Sequence, residues 1–233
     1  GKAPGTISIT GRGMRDLGGA LRVAFAGRGT VPGTVPDAGR PEVLAEAPYA
    51  PPTANAGSVG VEVAIDGQRF SRGGLAYVFY TAEVAGLEPR GGPAGRQTTV
   101  TLRGTGFVDL GGQVARCFIR AAEDAGEGAA AAGGAVSATS ATNEGASFEV
   151  AARVDAAAGT CECDVPPRAP AGVYAVRLSL NGGADLVASA FDDERFTAYD
   201  LAAVRVDEIQ PPGGLEGEAA RVTLVGAGFR DFG

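Results

Sequence analysis

The sequence predicts an all-β chain of tandem two-layer sandwiches. Three observations predict it: a segment that recurs along the chain, apolar residues alternating at strand period in each recurrence, and an abundance of turn residues. The last amounts to 38 Gly and 14 Pro in 233 residues, more than a helical protein carries.

GRGMRDLGG begins at Gly11, GTGFVDLGG at Gly104 and GAGFRDFG at Gly226. Spacings of roughly 93 and 122 residues suit sandwich domains rather than solenoid repeats. The likeness extends beyond the glycines. Leu87 to Gly111, LEPRGGPAGRQTTVTLRGTGFVDLG, aligns without a gap on Ile209 to Gly233, IQPPGGLEGEAARVTLVGAGFRDFG, with about half the positions identical.

Within the repeats a Pro and Gly stretch that cannot be helix leads into alternating apolar residues. Ile7 and Ile9, Val100 and Leu102, and Val222 and Leu224 hold matching positions with polar residues between them, the mark of a strand with one buried face. The G-x-G that follows (Gly11 and Gly13, Gly104 and Gly106, Gly226 and Gly228) is expected to be a tight turn. Further on, Val59, Val61, Val63 and Ile65 alternate up to Asp66-Gly67, and Tyr174, Val176, Leu178 and Leu180 up to Asn181-Gly182. Both dipeptides accept positive φ in a tight hairpin. Each run is therefore expected to fold back, the returning strands including Leu75 to Tyr80 and Phe196 to Tyr199.

Taken in order, these residues resemble the IPT/TIG domain, an early-set immunoglobulin-like β-sandwich. That family's pattern runs Pro-x-x-Gly, a V-T-L strand, G-x-G-F, a Cys-containing strand, a C-x-x-P turn and a G-x-Y-x-V strand ending in D/N-G. Here it is matched by Pro89, Gly91, Val100-Thr101-Leu102, Gly104, Gly106, Phe107, Cys117, Cys163, Pro166, Gly172, Tyr174, Val176 and Asn181-Gly182. The resemblance covers nearly the whole chain. It implies a first copy over residues 1–82 lacking its first strand, a complete copy over 83–203, and the start of a third over 204–233. Residues 121–147, rich in Ala, Gly and Ser, have no counterpart in the first copy. They are expected to be an extended or mobile loop inserted in the second, a short helix being the alternative.

In secreted relatives the Cys of the middle strand is often bridged to that of the C-x-x-P turn, which implies Cys117 with Cys163. Alignment on the G-x-G turn places Ala24 at the position of Cys117, and alignment on Pro48 and Pro166 places Ala45 at that of Cys163. Joint replacement by alanine is what two residues touching across a core show. The pair is therefore expected to be in contact, bonded or reduced. A disulfide is worth about 2–4 kcal/mol, more than a sandwich with its core built strictly needs, and a reduced Cys is a small apolar residue. An odd Cys161, no N-x-S/T acceptor and a copy without Cys favour a reducing compartment. Cys117 stands beside Phe118, so the two point to opposite faces, whereas the family spaces them by one residue.

Charge and composition narrow the function. A net charge of −7 without a Lys/Arg cluster makes nucleic acid and anionic membrane poor partners, a Rel-like role included. No apolar run reaches bilayer length, so no membrane insertion is expected in this segment. Without His there is no Ser-His or Cys-His pair, and the spacing suggests no carboxylate pair. The chain is not expected to be an enzyme, and no catalytic, cofactor-binding or metal-binding residue is assigned. Arg230-Asp231-Phe232-Gly233 looks like the D-F-G of kinases, but Asp16-Leu17-Gly18 and Asp109-Leu110-Gly111 hold the same place in the other copies and no H-R-D accompanies it. The G-x-G turns lack the helix that a phosphate cradle requires. Asp192-Asp193-Glu194 is solvated charge on a hairpin in preference to a calcium site.

The expected function is a non-catalytic scaffold segment of a larger protein. It binds other proteins of a large assembly through rigid sandwiches, since Thr81 to Glu88, which separate Tyr80 from Pro89, contain no Ser/Gly linker. An intracellular setting in a cilium or another cytoskeletal assembly is expected by association. The alternatives are an extracellular adhesion or receptor ectodomain and an accessory module of a carbohydrate-active enzyme.

Overall fold

The computed structural model describes residues 5–36, 41–50, 57–112, 114–122, 145–190 and 195–232. Most of the expected inserted loop, residues 123–144, and the Asp192-Asp193-Glu194 run lie outside these. The chain divides into two compact units, Gly1–Ala82 and Glu83–Gly233. Among the described residues the regular secondary structure is all strand, apart from one 3-10 turn at Leu201–Ala203.

The first unit comprises β1 (Thr6–Thr10), β2 (Arg22–Phe25), β3 (Gly29–Thr34), β4 (Glu42–Glu46), β5 (Gly57–Ala64) and β6 (Leu75–Phe79). They are hydrogen-bonded in the order β1-β4-β3-β2-β5-β6, all antiparallel. The ribbon becomes a two-layer sandwich because β3 changes partner part-way: Gly29 to Pro32 pair with β2, Gly33 and Thr34 with β4. Alternation supplies the core, with Ile9, Val23, Phe25, Val43, Ala45, Val61 and Val63 buried from both layers. Phe25 meets Tyr77 edge-on at 5.8 Å, and Arg28 lies 4.8 Å over the Phe79 ring.

Where β3 crosses, side-chain volume is rationed. A Cβ at Gly33 would collide with the Leu21 side chain and come within 3.0 Å of Val43. The second unit solves the same crossing with Ala152, whose N–H donates to the Ala115 carbonyl just as that of Gly33 donates to the Leu21 carbonyl. Large Leu21 with Gly33, and small Ala115 with Ala152, are two fillings of one space.

The second unit comprises β7 (Glu83–Glu88), β8 (Gly91–Pro93), β9 (Thr98–Thr105), β10 (Arg116–Ala121), β11 (Ser147–Asp155), β12 (Thr160–Val165), β13 (Gly172–Ser179), β14 (Ala188–Ser189) and β15 (Arg195–Tyr199). Their order is β14-β7-β9-β12-β11-β10-β13-β15-β8. Ser147 to Ala151 of β11 pair with β10, and Ala152 to Asp155 with β12, so β11 is shared between the layers. At the other side β7 pairs with β9 and its continuation β8 with β15, the switch falling at Pro89. The Tyr174 hydroxyl donates to the Pro170 carbonyl at 2.8 Å, fastening β13 to the loop before it as in the tyrosine corner of immunoglobulin-like sandwiches. This is an all-β, immunoglobulin-like fold.

Two sequence expectations are corrected. Gly67 and Gly182 do take positive φ, 71° and 75°, but neither dipeptide makes a tight hairpin. Asp66 Oδ1 accepts the N–H groups of Gln68 and Arg69, opening a longer loop that returns when the Ser71 N–H bonds to the Val63 carbonyl. Asn181 Oδ1 likewise accepts the Asp185 N–H and the buried Ser179 hydroxyl, and β14 visits β7 before β15 returns to β13. Side-chain acceptors satisfy the donors of these longer loops.

The second correction concerns Ala24. It is half-buried and faces away from the core, and the position of Cys117 belongs to Val23. Val23 pairs with Val63 as Cys117 pairs with Leu178. The second copy carries one more residue between the G-x-G turn and this strand, and one residue inverts the side-chain alternation.

On the outer face of β9, β12 and β11, Arg153 donates to both oxygens of Asp164, 3.1 and 3.3 Å away, and the Thr99 hydroxyl donates to Oδ1. The Arg153 hydrogen bonds, then that of Thr99, hold the Asp164 carboxyl below its ordinary 3.8. A lowered folded-state pKa adds stability that is present above the unfolded value and lost as pH falls through the folded one. Denaturant midpoints should therefore drop as the pH is taken below about 4, and Asp164→Asn should flatten that part of the profile. For the crossing, Gly33→Ala should cost about 1–3 kcal/mol. Combined with Leu21→Ala the two should be non-additive by about 0.5–3 kcal/mol in the relieving direction in a double-mutant cycle.

Candidate functional site

Cys117 on β10 and Cys163 on β12 form a disulfide, with Cα atoms 6.4 Å apart and a sequence separation of 46. The bond ties one layer to the other through the core, where both residues are fully buried. Phe118 points to the opposite face, beside Gly183. Cys161, two residues before Cys163, shares its inward face and is also fully buried, in register with Leu102 and Val154. Burial pushes its thiol up to about 11, so it is an inert apolar residue at neutral pH. Its counterpart in the first unit is Val43, by the pairing of Ile9 with Val43 and of Leu102 with Cys161.

The G-x-G glycines have separate tasks. At the first, a Cβ on Gly104 would strike the Glu83 carbonyl oxygen and lie 2.6 Å from the Phe107 ring. Gly226 is constrained identically by the Arg205 carbonyl and Phe229. At Gly11 the near atom is Met14 Cε, 2.6 Å away, with no described backbone within 4 Å. The second glycine is left-handed in all three, with φ of 72° at Gly13, 67° at Gly106 and 77° at Gly228. At Gly104 and Gly226 the missing side chain lets two strands approach.

Two further strands, β16 (Arg205–Gln210) and β17 (Thr223–Ala227), form a separate two-stranded sheet. Their register reproduces that of β7 with β9. Val206 pairs with Gly226 and Glu208 with Val225 across a bulge, as Val84 pairs with Gly104 and Gly86 with Arg103 across the same bulge. In the second unit this ribbon buries Val84, Leu87, Val100, Leu102 and Phe107. The matching Val206, Ile209, Val222, Leu224 and Phe229 are 47–56% exposed.

Phe232, in the loop after β17, is half-buried against the β7–β8 corner. Its ring stacks on Tyr199, centroids 5.8 Å apart and planes 27° from parallel, and lies over Gly91. A pocket of about 370 Å³ opens beside it, lined in part by Leu87, Pro89, Arg90, Gly91 and Arg103. A groove of about 570 Å³ in the first unit runs over Val31, Pro32, Leu44, Ala47, Pro48 and the 72% exposed Tyr49. Sequence reasoning singled out the Asp-Phe-Gly loop and gave it no role; the signal was the apolar residue kept at Leu17, Leu110 and Phe232.

Among the described residues no group of three His, Cys, Asp or Glu side chains is placed to hold a metal ion. No helix among them is long and apolar enough to cross a membrane. No family model matches the chain, and no curated protein matches it. Among solved structures it is similar to the plexin A4 full extracellular region, with 8% identity and a TM-score of 0.35 over 85% of this chain. The match spans 23% of that chain's length.

Thiol titration checks the cysteine assignment. Unfolded without reductant, the chain should show one reactive thiol, and after reduction all three. In the folded chain at pH 8, alkylation of Cys161 should be slower than in the unfolded chain by about a hundredfold or more, the loss of thiolate that two pH units of burial imply.

Proposed function

We propose that the chain is a segment of a tandem IPT/TIG-type array that binds proteins and holds them apart at fixed intervals, without catalysis of its own. One observation carries this reading: β16 and β17 repeat β7 and β9 down to the bulge, yet leave exposed the apolar face that the second unit covers. Such a ribbon is the opening of another sandwich, which buries that face when complete. Only Tyr80, Thr81 and Ala82 lie between β6 and β7, and only Asp200 to Val204 between β15 and β16. Exposed strand edges and loops are then the attachment surface, as in β-strand addition.

The cross-layer disulfide favours an oxidising, extracellular setting, that of an adhesion or receptor ectodomain. Two observations that favoured a reducing compartment have another account. The odd Cys161 is a core residue where the first copy has Val43, and the copy without Cys fills the same space with Val23 and Ala45. The lack of an N-x-S/T acceptor still favours the intracellular scaffold, the second reading.

Crosslinking with mass spectrometry on the native assembly tests the binding role. Crosslinks from this segment to several large proteins are expected. A segment that stays monomeric and crosslinks to nothing would overturn the reading, and three free thiols in the native protein would remove the extracellular placement alone.

A further inference from the structure

The face of the β7–β8 corner carries two adjacent glycines with different neighbours. A Cβ on Gly92 would strike the Thr98 hydroxyl and lie 3.0 Å from the Phe196 ring, so Gly92 serves the packing of its own sandwich. A Cβ on Gly91 would lie 2.7 Å from Cε1 and Cζ of Phe232 and 2.9 Å from Cδ1. Its nearest three atoms all belong to that ring, and its φ lies outside the left-handed region. What bars a side chain at Gly91 is the loop of the following copy.

In the first two copies the loop's aspartate accepts a backbone N–H of the glycine pair that follows it: Asp16 Oδ1 that of Gly19, Asp109 Oδ1 that of Gly111. In the complete second sandwich Leu110 is outside the buried core, and Leu17 is 52% exposed. The position is therefore a protruding apolar side chain, and only Phe232 has the corner of the preceding copy described beneath it. At Gly213, which matches Gly91, an added Cβ meets nothing within 4 Å.

We propose that the Asp-Leu/Phe-Gly loop is the docking element of the repeat, its apolar residue seating on the first glycine of another copy's β7–β8 corner, seen here as Phe232 on Gly91 against Tyr199. The Gly213 seat, where an added Cβ meets nothing, fits the same loop of another copy of the repeat. The docking surface is thus written into the repeat itself: a ring or a leucine, a missing Cβ and an aromatic wall at the end of β15. The proposal rests on the array reading but fails separately from it, since Phe232 could be unseated in a protein that still crosslinks to partners.

The test places 4-fluorophenylalanine at position 232 of the 233-residue chain and measures how strongly a soluble gadolinium chelate relaxes its fluorine signal. Relaxation at least about threefold weaker than in the urea-unfolded chain is expected, rising to the unfolded value in Gly91→Val and unchanged in Gly213→Val. Should Gly91→Val fail to fold, Phe232→Asp replaces it, read by amide exchange at Arg90 to Gly92, which should quicken at least about fivefold. A fluorine as accessible in the folded chain as in the unfolded one would overturn the proposal. So would Gly91→Val and Gly213→Val acting alike, or amide exchange indifferent to Phe232→Asp.

Discussion

Each sandwich is closed by a strand that leaves one layer for the other, and at the crossing its backbone runs over the core with little room for a side chain. Gly33 and Ala152 mark that place in β3 and β11. Much of the remaining architecture is arranged around it. The layers on either side of the crossing supply the buried alternation, and the residue facing the crossing, Leu21 or Ala115, is sized to whatever the crossing strand leaves empty. Packing at close to crystalline density permits such exchanges only when total volume is kept.

The cysteines obey the same accounting. Cys117, Cys161 and Cys163 stand where the first unit has Val23, Val43 and Ala45. Three small apolar residues fill equivalent space in either unit, and the covalent link is an addition to a core that the neighbouring copy completes without sulfur. The disulfide and the buried thiol therefore differ in geometry, not in composition: Cys163 lies opposite Cys117, while Cys161 lies among apolar neighbours with its thiol desolvated.

Much of the fold was legible because its signals are periodic. Ile7 and Ile9, Val100 and Leu102, Val59, Val61 and Val63, and Tyr174, Val176 and Leu178 lie on strands, with their inward faces assigned by alternation. What alternation cannot register is a single added residue. The extra position in the second copy's loop moved the counterpart of Cys117 from Ala24 to Val23 while leaving every motif intact. Loop length was also hidden, since Asp66 and Asn181 satisfy backbone donors through side-chain acceptors that composition does not reveal. The candidate site was legible only as repetition: Phe232 and Gly91 are 141 positions apart in the chain, and nothing local in either motif names the other.

The bond between Cys117 and Cys163 has a mechanical consequence. If the ends of the chain were pulled apart until the strands gave way, the first unit could yield its whole contour, because nothing covalent spans it. The second would keep the stretch from β10 to β12 looped, 46 positions of chain, withholding about 150 Å at roughly 3.3 Å per residue. The second unit would thus give up its length in two stages, the withheld stretch coming free only when a reductant reached the core.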